Sequence, residues 1–179
     1  MKNIYVLLLS SACAFVPAAA FAVGGTCAAP DTTTLVGPTP TASGTTCGNG
    51  NQVDAFCGGA QVVSNQPQVI YQITLSAPGT GGRATSIAFT GATANTATWH
   101  PTMYLYSGTC LNGGGCVQTG VVGAGGANIT TVAAGTYFLA VGGSQIDATD
   151  AAGGAAACGA FQIGANGTLP VALQSFSVQ

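Results

Sequence analysis

Large apolar side chains alternate with polar or small ones along several short segments of this chain. This period of two constrains the fold more than any other feature. In the segment Val69–Leu75 every second side chain is large and apolar, and Met103 and Leu105 alternate with Tyr104 and Tyr106. Such alternation places successive side chains on opposite faces of a β-strand. The same pattern occurs in Ile87–Phe89, 117–122, 128–132, Gly135–Gly142, Phe161–Ile163 and Leu169–Val178.

Glycine-rich turns separate these segments, and the residues that favour surface helices are nearly missing. The chain has no Glu, and its one Lys is Lys2. A parallel sheet with crossover helices is therefore disfavoured. We expect an all-β fold: an antiparallel β-sandwich, jelly-roll-like, with about eight strands and stabilised by disulfides.

The first residues have the order of a secretory signal peptide. Lys2 precedes the apolar stretch Ile4–Val16, and Ala20-Phe21-Ala22 supplies the small residues of a cleavage site. We predict cleavage after Ala22 and no membrane span thereafter, because no later apolar run is long enough. The chain would then be secreted, or held at the surface of a bacterial cell. The expected parts are a signal peptide (1–22), a Gly/Thr/Cys-rich segment packed on the sandwich (23–61), a β-sandwich core (62–167) and a C-terminal strand or tail (168–179).

Six cysteines remain once Cys13 leaves with the signal peptide, and an even number in an exported chain indicates disulfides. Cys110 and Cys116 flank a short glycine-rich loop whose ends approach easily, so we predict a bridge between them. A zinc–thiolate site is the rival interpretation, and the wide cysteine spacings and single histidine disfavour it. The other two bridges would join, in pairings that the sequence leaves open, Cys27, Cys47, Cys57 and Cys158.

Charge is almost missing beyond residue 22. One arginine, Arg83, accompanies four aspartates, whereas ordinary soluble domains carry about 25% charged residues. Nucleic-acid binding is excluded, because it needs many Lys and Arg side chains against phosphates. Weak charge repulsion between copies suits proteins in an assembly, on a cell surface or in a matrix.

No residue pattern predicts catalysis. His100 is the single histidine, and Ser144 in the sequence Gly-Gly-Ser-Gln lacks the second glycine of a nucleophile elbow. Asp147 and Asp150 are the one close pair of acids, which we interpret as a solvated turn or as a weak Ca²⁺ site formed with loop carbonyls. We therefore expect no catalytic residue, no enzyme activity and no cofactor other than weakly bound Ca²⁺.

Three aromatic residues are candidates for a ligand-binding surface: Trp99, Tyr104 and Tyr106. Aromatic side chains stack on sugars and anchor protein interfaces. The alternative interpretation is that they are buried between two layers or stabilise cross-strand pairs.

The order of these segments resembles the bacterial pre-peptidase C-terminal (PPC) domain and its cysteine-containing relatives. The resemblance implies a jelly-roll-like β-sandwich that is non-catalytic and accompanies secreted enzymes and surface proteins. Trp99-His100-Pro101-Thr102 stands where that family often has an acidic residue. The matching parts, within Cys47–Gly167, are Val69–Leu75, Met103-Tyr-Leu-Tyr106 with Ser107-Gly-Thr-Cys110, Ala134–Val141 and Cys158–Ile163.

Two functions stay open from the sequence. The first is a secreted or cell-surface module, non-catalytic, that binds a glycan or a surface protein in adhesion. The second is a structural subunit that assembles with copies of itself into a fibre or coat, with Leu169–Gln179 as an exchangeable strand. An enzyme, or an inhibitor of a secreted enzyme, is a third hypothesis that no motif supports.

Overall fold

The computed structural model describes only part of the chain: residues 25–32, 35, 37–91, 93, 95–96, 98–112, 115–121, 126–150 and 157–169. The predicted signal peptide with its cleavage site lies outside these residues. So does nearly all of the predicted exchangeable strand, of which Leu169 alone is described. Within the described ranges, no helix is long and apolar enough to cross a membrane.

The described chain consists almost entirely of strands. There is one short helix, α1 (Gln145–Asp150), and there are two 3₁₀ turns, Cys57–Gly59 and Cys110–Asn112. The strands are β1 (Thr41–Thr45), β2 (Ala55–Phe56), β3 (Gln61–Val62), β4 (Val69–Leu75), β5 (Ser86–Phe89), β6 (Thr102–Tyr106), β7 (Cys116–Val121), β8 (Ala127–Asn128), β9 (Gly135–Gly142) and β10 (Ala160–Ala165).

Eight of these strands form two four-stranded antiparallel sheets with the connectivity of a jelly roll. The front sheet has the order β1-β10-β5-β8, and the back sheet has the order β4-β9-β6-β7. When the hairpin β2–β3 is left out, the eight remaining strands pair from the outside of the sequence inward: β1 with β10, β4 with β9, β5 with β8 and β6 with β7. That nested pairing is how a jelly roll folds. The predicted fold class is confirmed, and the hairpin β2–β3 is an addition to it.

Side-chain alternation divides the back sheet between two separate cores. Met103 and Leu105 of β6 face the front sheet, whereas Tyr104 and Tyr106 of the same strand face away from it. The same division holds along β9, which pairs with β4 over seven consecutive residues. Both faces of the back sheet are therefore covered, and this is why β6 is buried at every position.

The larger core fills the space between the two sheets. Phe161 and Ile163 of the front sheet meet Tyr71, Leu139 and other residues of the back sheet there. The rings of Tyr71 and Phe161 make an edge contact with centroids 6.5 Å apart. Burial of such side chains on both inner faces is the main favourable term in a β-sandwich.

The smaller core lies on the other side of the back sheet, beneath a layer formed by the N-terminal half of the chain. Val53, Phe56 and Val63 pack there against Tyr104 and Tyr106. We call the residues 47–68, which contain the hairpin β2–β3, the cover. The cover makes the molecule three layers thick on this side, although the front sheet has nothing comparable among the described residues.

Three long-range disulfides hold this arrangement together, and they correct the predicted pairing. Cys27 bonds to Cys110, Cys57 to Cys116 and Cys47 to Cys158. The predicted Cys110–Cys116 bridge is wrong.

Cys110 and Cys116 both lie on the outer side of the back sheet, where they contact the smaller core. Cys27 and Cys57 reach the same place from the N-terminal half of the chain, with Cα–Cα distances of 5.4 and 4.2 Å to their partners. Each of the two cysteines therefore bonds to a partner from the N-terminal half of the chain and not to the other.

One edge of the back sheet is also covered. The amide of Ile70 in β4 donates to the carbonyl of Gly25, and the amide of Gln72 donates to the carbonyl of Asp31, at 2.8 and 3.2 Å. Asp31 also donates its amide to the carbonyl of Ile70. The segment 25–31 thus lies against β4 much as a further strand would.

Candidate functional site

The three aromatic residues predicted to bind a ligand do not form a surface. Trp99, Tyr104 and Tyr106 are each at most 1% exposed. Trp99 belongs to the core between the sheets, whereas both tyrosines belong to the core beneath the cover. They lie on opposite sides of the back sheet, so no single ligand contacts all three. The interpretation as buried core residues is the correct one.

Each of these rings has a defined packing partner. Phe56 of the cover stacks on Tyr104 with centroids 4.4 Å apart and nearly parallel planes, and it tilts against Tyr106 at 5.2 Å. A Cβ atom on Gly159 would collide with the indole of Trp99. Burial raises the pKa of both Tyr104 and Tyr106 well above the ordinary value, and the nearby Asp147 adds to the rise at Tyr104.

Asp147 joins the start of β6 to the start of α1. Its Oδ2 atom accepts the amide of His100 at 2.7 Å and the amide of Ser144 at 2.9 Å. Its Oδ1 atom lies 2.5 Å from Nδ1 of His100. Ser144 precedes the helix and Asp147 is its third residue, so the bond from the amide of Ser144 to Asp147 is half of a capping box. We call these three residues the clasp.

The clasp is not arranged as a catalytic triad or as an open cation site. The hydroxyl of Ser144 is buried and has no hydrogen-bond partner among the described residues, so it is not bonded to His100. Both carboxylate oxygens of Asp147 already accept hydrogen bonds, and the residue is 1% exposed. Within the described ranges, no three His, Cys, Asp or Glu side chains are grouped so that they could hold a metal ion.

Asp147 is therefore not part of a solvated turn, because a buried carboxylate held by three donors is a structural group, whereas the weak Ca²⁺ site stays a prediction. The side chain of Asp150 lies outside the described residues, so its part of that prediction is untested.

Two buried glutamines just before β4, Gln66 and Gln68, were not predicted from the sequence. Gln68 accepts the amides of Gln52 and Val53 and donates to the carbonyl of Val53, which fixes the chain at the start of the cover. Gln66 donates to the carbonyl of Ser144 at 2.8 Å. Nothing in their local sequence distinguishes them from exposed glutamines, since burial depends on the loop that folds over them.

Arg83, the one basic residue after the predicted signal peptide apart from His100, is also buried. Its Nη2 atom donates to the carbonyls of Ile129 and Val132 at 2.8 and 2.6 Å. It therefore closes the turn between β8 and β9 and adds no charge to the protein surface.

The front sheet presents a different surface. Ala42, Gly44, Phe161 and Ile163 face the core, and the intervening residues of their strands face outward. No described element packs over these residues, so they are exposed or half-buried and none is fully buried. We call this surface the front face: Thr41, Ser43, Ala88, Thr90, Gln162 and Gly164.

Hydrogen bonds between side chains run across the front face. Gln162 in the central strand donates from Nε2 to the hydroxyl of Ser43 at 3.2 Å and accepts from the hydroxyl of Thr90 at 3.4 Å. The hydroxyl of Thr93 accepts the backbone amide of Gln162 and donates to its carbonyl, which continues the sheet beyond the end of β5. The result is a surface of hydroxyl, amide and small side chains with no charged group.

Comparisons with known proteins add no relative. No protein-family model, no curated protein and no solved structure matches this chain. The resemblance to PPC domains stays a prediction, and the fold stands on the described strand order alone.

Proposed function

We propose that the protein is an exported, non-catalytic β-sandwich module that binds a neutral glycan outside the cytoplasm through its front face. The observation that carries this proposal is the contrast between the uncovered, uncharged front face and the back sheet, whose outer face is covered. A polar surface over which no described element packs is where a partner can bind.

The chemistry of the other groups supports a non-catalytic role. All six cysteines after the predicted cleavage site are in disulfides, so none is a thiol nucleophile. The carboxylate of Asp147 and the imidazole of His100 hold each other in the clasp. Disulfides are typical of proteins in oxidising compartments, which supports export.

The side chains of the front face favour a neutral ligand rich in hydroxyl groups. Threonine, serine and glutamine side chains both donate and accept hydrogen bonds, as sugar hydroxyls do. An acidic polymer would find no cation on this face to pair with. Stacking on aromatic rings is not the mode of binding, because the exposed large hydrophobic residues among those described are Val62, Leu111 and Ile146.

The test is binding of the purified protein, from residue 23 onward, to insoluble neutral polysaccharides, with an acidic polysaccharide for comparison. We expect retention on one or more of the neutral polymers with little dependence on salt, since no ion pair contributes. Failure to bind any neutral polymer, or binding to the acidic one that salt abolishes, contradicts the proposal.

Two matched variants locate the binding surface. Thr90 on the front face and Thr136 on β9 of the back sheet are both exposed threonines. T90K should lower retention by about tenfold or more, because an unpaired charge would be buried in the contact. T136K should bind as the unmodified protein does. Equal loss in both variants would show that charge alone, and not the front face, controls binding.

A further inference from the structure

The strand β1 at the edge of the front sheet turns half of its backbone groups away from the molecule. Just beyond its ends, the amide of Ala165 donates to the carbonyl of Pro40 and the amide of Thr46 donates to the carbonyl of Gly159, both at 3.0 Å. Alternate residues of an antiparallel strand bond to the same neighbour, so the even-numbered residues of β1 pair with β10. The amides and carbonyls of Thr41, Ser43 and Thr45 therefore point outward.

No described strand or loop pairs with this outward edge of β1. The edge of β4, in contrast, is covered by the segment 25–31. Strands at free edges usually carry a charge, a proline or a bulge that prevents pairing with another chain. Residues Thr41–Thr45 contain none of these features, and the register of β1 with β10 is regular throughout.

The sequence of β1 is nearly the same in both directions. It reads Thr-Ala-Ser-Gly-Thr, with small residues on either side of Ser43 and a threonine at each end. An antiparallel pair of two such strands, related by a two-fold axis at Ser43, opposes Thr41 to Thr45 and Ser43 to its own copy. Threonine and serine pairs across strands are favourable, and the small Ala42 and Gly44 continue on the core side.

We propose that this edge binds a second copy of the same chain, so that two molecules form a symmetric dimer through β1. The outward groups of Thr41, Ser43 and Thr45 match those of the partner, since each opposed pair of residues exchanges two N–H···O bonds in this register. The two front sheets become one continuous sheet, and two front faces lie side by side. The dimer is independent of the proposed glycan binding, although it would give that binding two adjacent sites.

The first test is the mass of the mature protein in solution, measured by sedimentation equilibrium over a wide range of concentration. We expect a reversible monomer–dimer equilibrium. S43P removes the outward amide of Ser43 and no backbone hydrogen bond to β10; the one bond to β10 that it loses is the exposed side-chain contact with Gln162, so it should fold normally and remain monomeric. T90K, on the same sheet but away from the edge, should dimerise as the unmodified protein does. A mature protein that stays monomeric at every concentration overturns the proposal, and so does an S43P variant that dimerises unchanged.

The second test uses the two-fold axis, which places residue 43 opposite itself. S43K and S43D should each weaken the dimer by roughly fivefold, because like charges would be directly opposed. A mixture of the two variants should form heterodimers at least as tightly as the unmodified protein dimerises. Thermal unfolding of each variant alone checks that both are folded. Heterodimers no tighter than the two homodimers would show that the pairing is not centred on Ser43.

Discussion

The outer faces of the two sheets are built from similar antiparallel strands, but the outer face of the back sheet is buried and that of the front sheet is not. On the back sheet, Tyr104 and Tyr106 point outward and are buried under Phe56 and the rest of the cover. On the front sheet, Ser43 and Gln162 point outward and stay accessible. Two disulfides join the back sheet to the N-terminal half of the chain, whereas the third joins the flanks of β1 and β10 within the front sheet.

This difference shows how a chain with almost no charge keeps the outer face of one sheet accessible. Large apolar outward positions need a cover, and the cysteines fasten it. Small polar outward positions need no cover, so they stay accessible to solvent. The contrast is therefore already present in the residue types at the outward positions of β1, β6 and β10.

The largest expected effect is truncation of an outward side chain on the covered sheet. Y104A should lower the free energy of unfolding by about 3–5 kcal/mol, because it leaves a cavity under Phe56 and removes the hydrogen bond to the carbonyl of Gly143. Q162A, the equivalent outward position on the front sheet, should cost less than about 0.5 kcal/mol. Denaturant unfolding measures both. Similar values for the two variants would contradict the contrast.

Removing a disulfide of the cover comes next. The double variant C57S/C116S removes a disulfide between residues 59 apart in sequence. It should lower the free energy of unfolding by about 2–4 kcal/mol. We also expect the cover to loosen before the sandwich, so hydrogen exchange should accelerate first in residues 53–63. Uniform acceleration across both sheets would show that the cover is not a separate layer.

The clasp predicts a smaller loss. D147N keeps the shape of the side chain but replaces an acceptor oxygen by a donor, against the donors of His100 and Ser144. We expect a loss of about 1–3 kcal/mol in thermal or denaturant unfolding. H100A removes one of these partners but leaves both amides in place, and should cost less. A neutral effect of D147N would mean that the carboxylate is not holding α1 on β6.

The smallest effect concerns alkaline pH. Burial raises the pKa of Tyr71, Tyr104 and Tyr106, so these phenols stay protonated in the folded state. In the unfolded chain they ionise near pH 10. Stability is therefore full below about pH 10 and falls as the pH rises further, since only the unfolded state releases the protons. Y106F should reduce this fall, although it also removes the hydrogen bond to the carbonyl of Cys110. A phenolate absorbance change without unfolding would contradict the burial of these rings.

Alternation in the sequence was enough to predict the fold. It placed β4 and β9 at their observed bounds, Val69–Leu75 and Gly135–Gly142. It also separated Met103 and Leu105 from the two tyrosines of β6. Alternation along a strand shows which side chains share a face of the sheet. In a jelly roll the shared face largely decides which residues contact one another.

The disulfide pairing and the cover could not be predicted in the same way. They depend on which loops fold over the back sheet, and the spacing of cysteines carries no information on that. The same uncertainty made Trp99, Tyr104 and Tyr106 appear available for a ligand. The helix α1 did have a local signal, Ser144 followed three residues later by Asp147, which is the pattern of a capping box.

Hydrogen exchange of individual backbone amides compares the two sheet edges directly, in the protein from residue 23 onward at a concentration where it is monomeric. We expect slow exchange at Ile70 and Gln72, which donate to the segment 25–31, and fast exchange at Thr41 and Ser43 on the open edge of β1. Slow exchange at both edges of the dilute monomer would contradict this expectation, because some other part of the chain would then cover the front sheet as well.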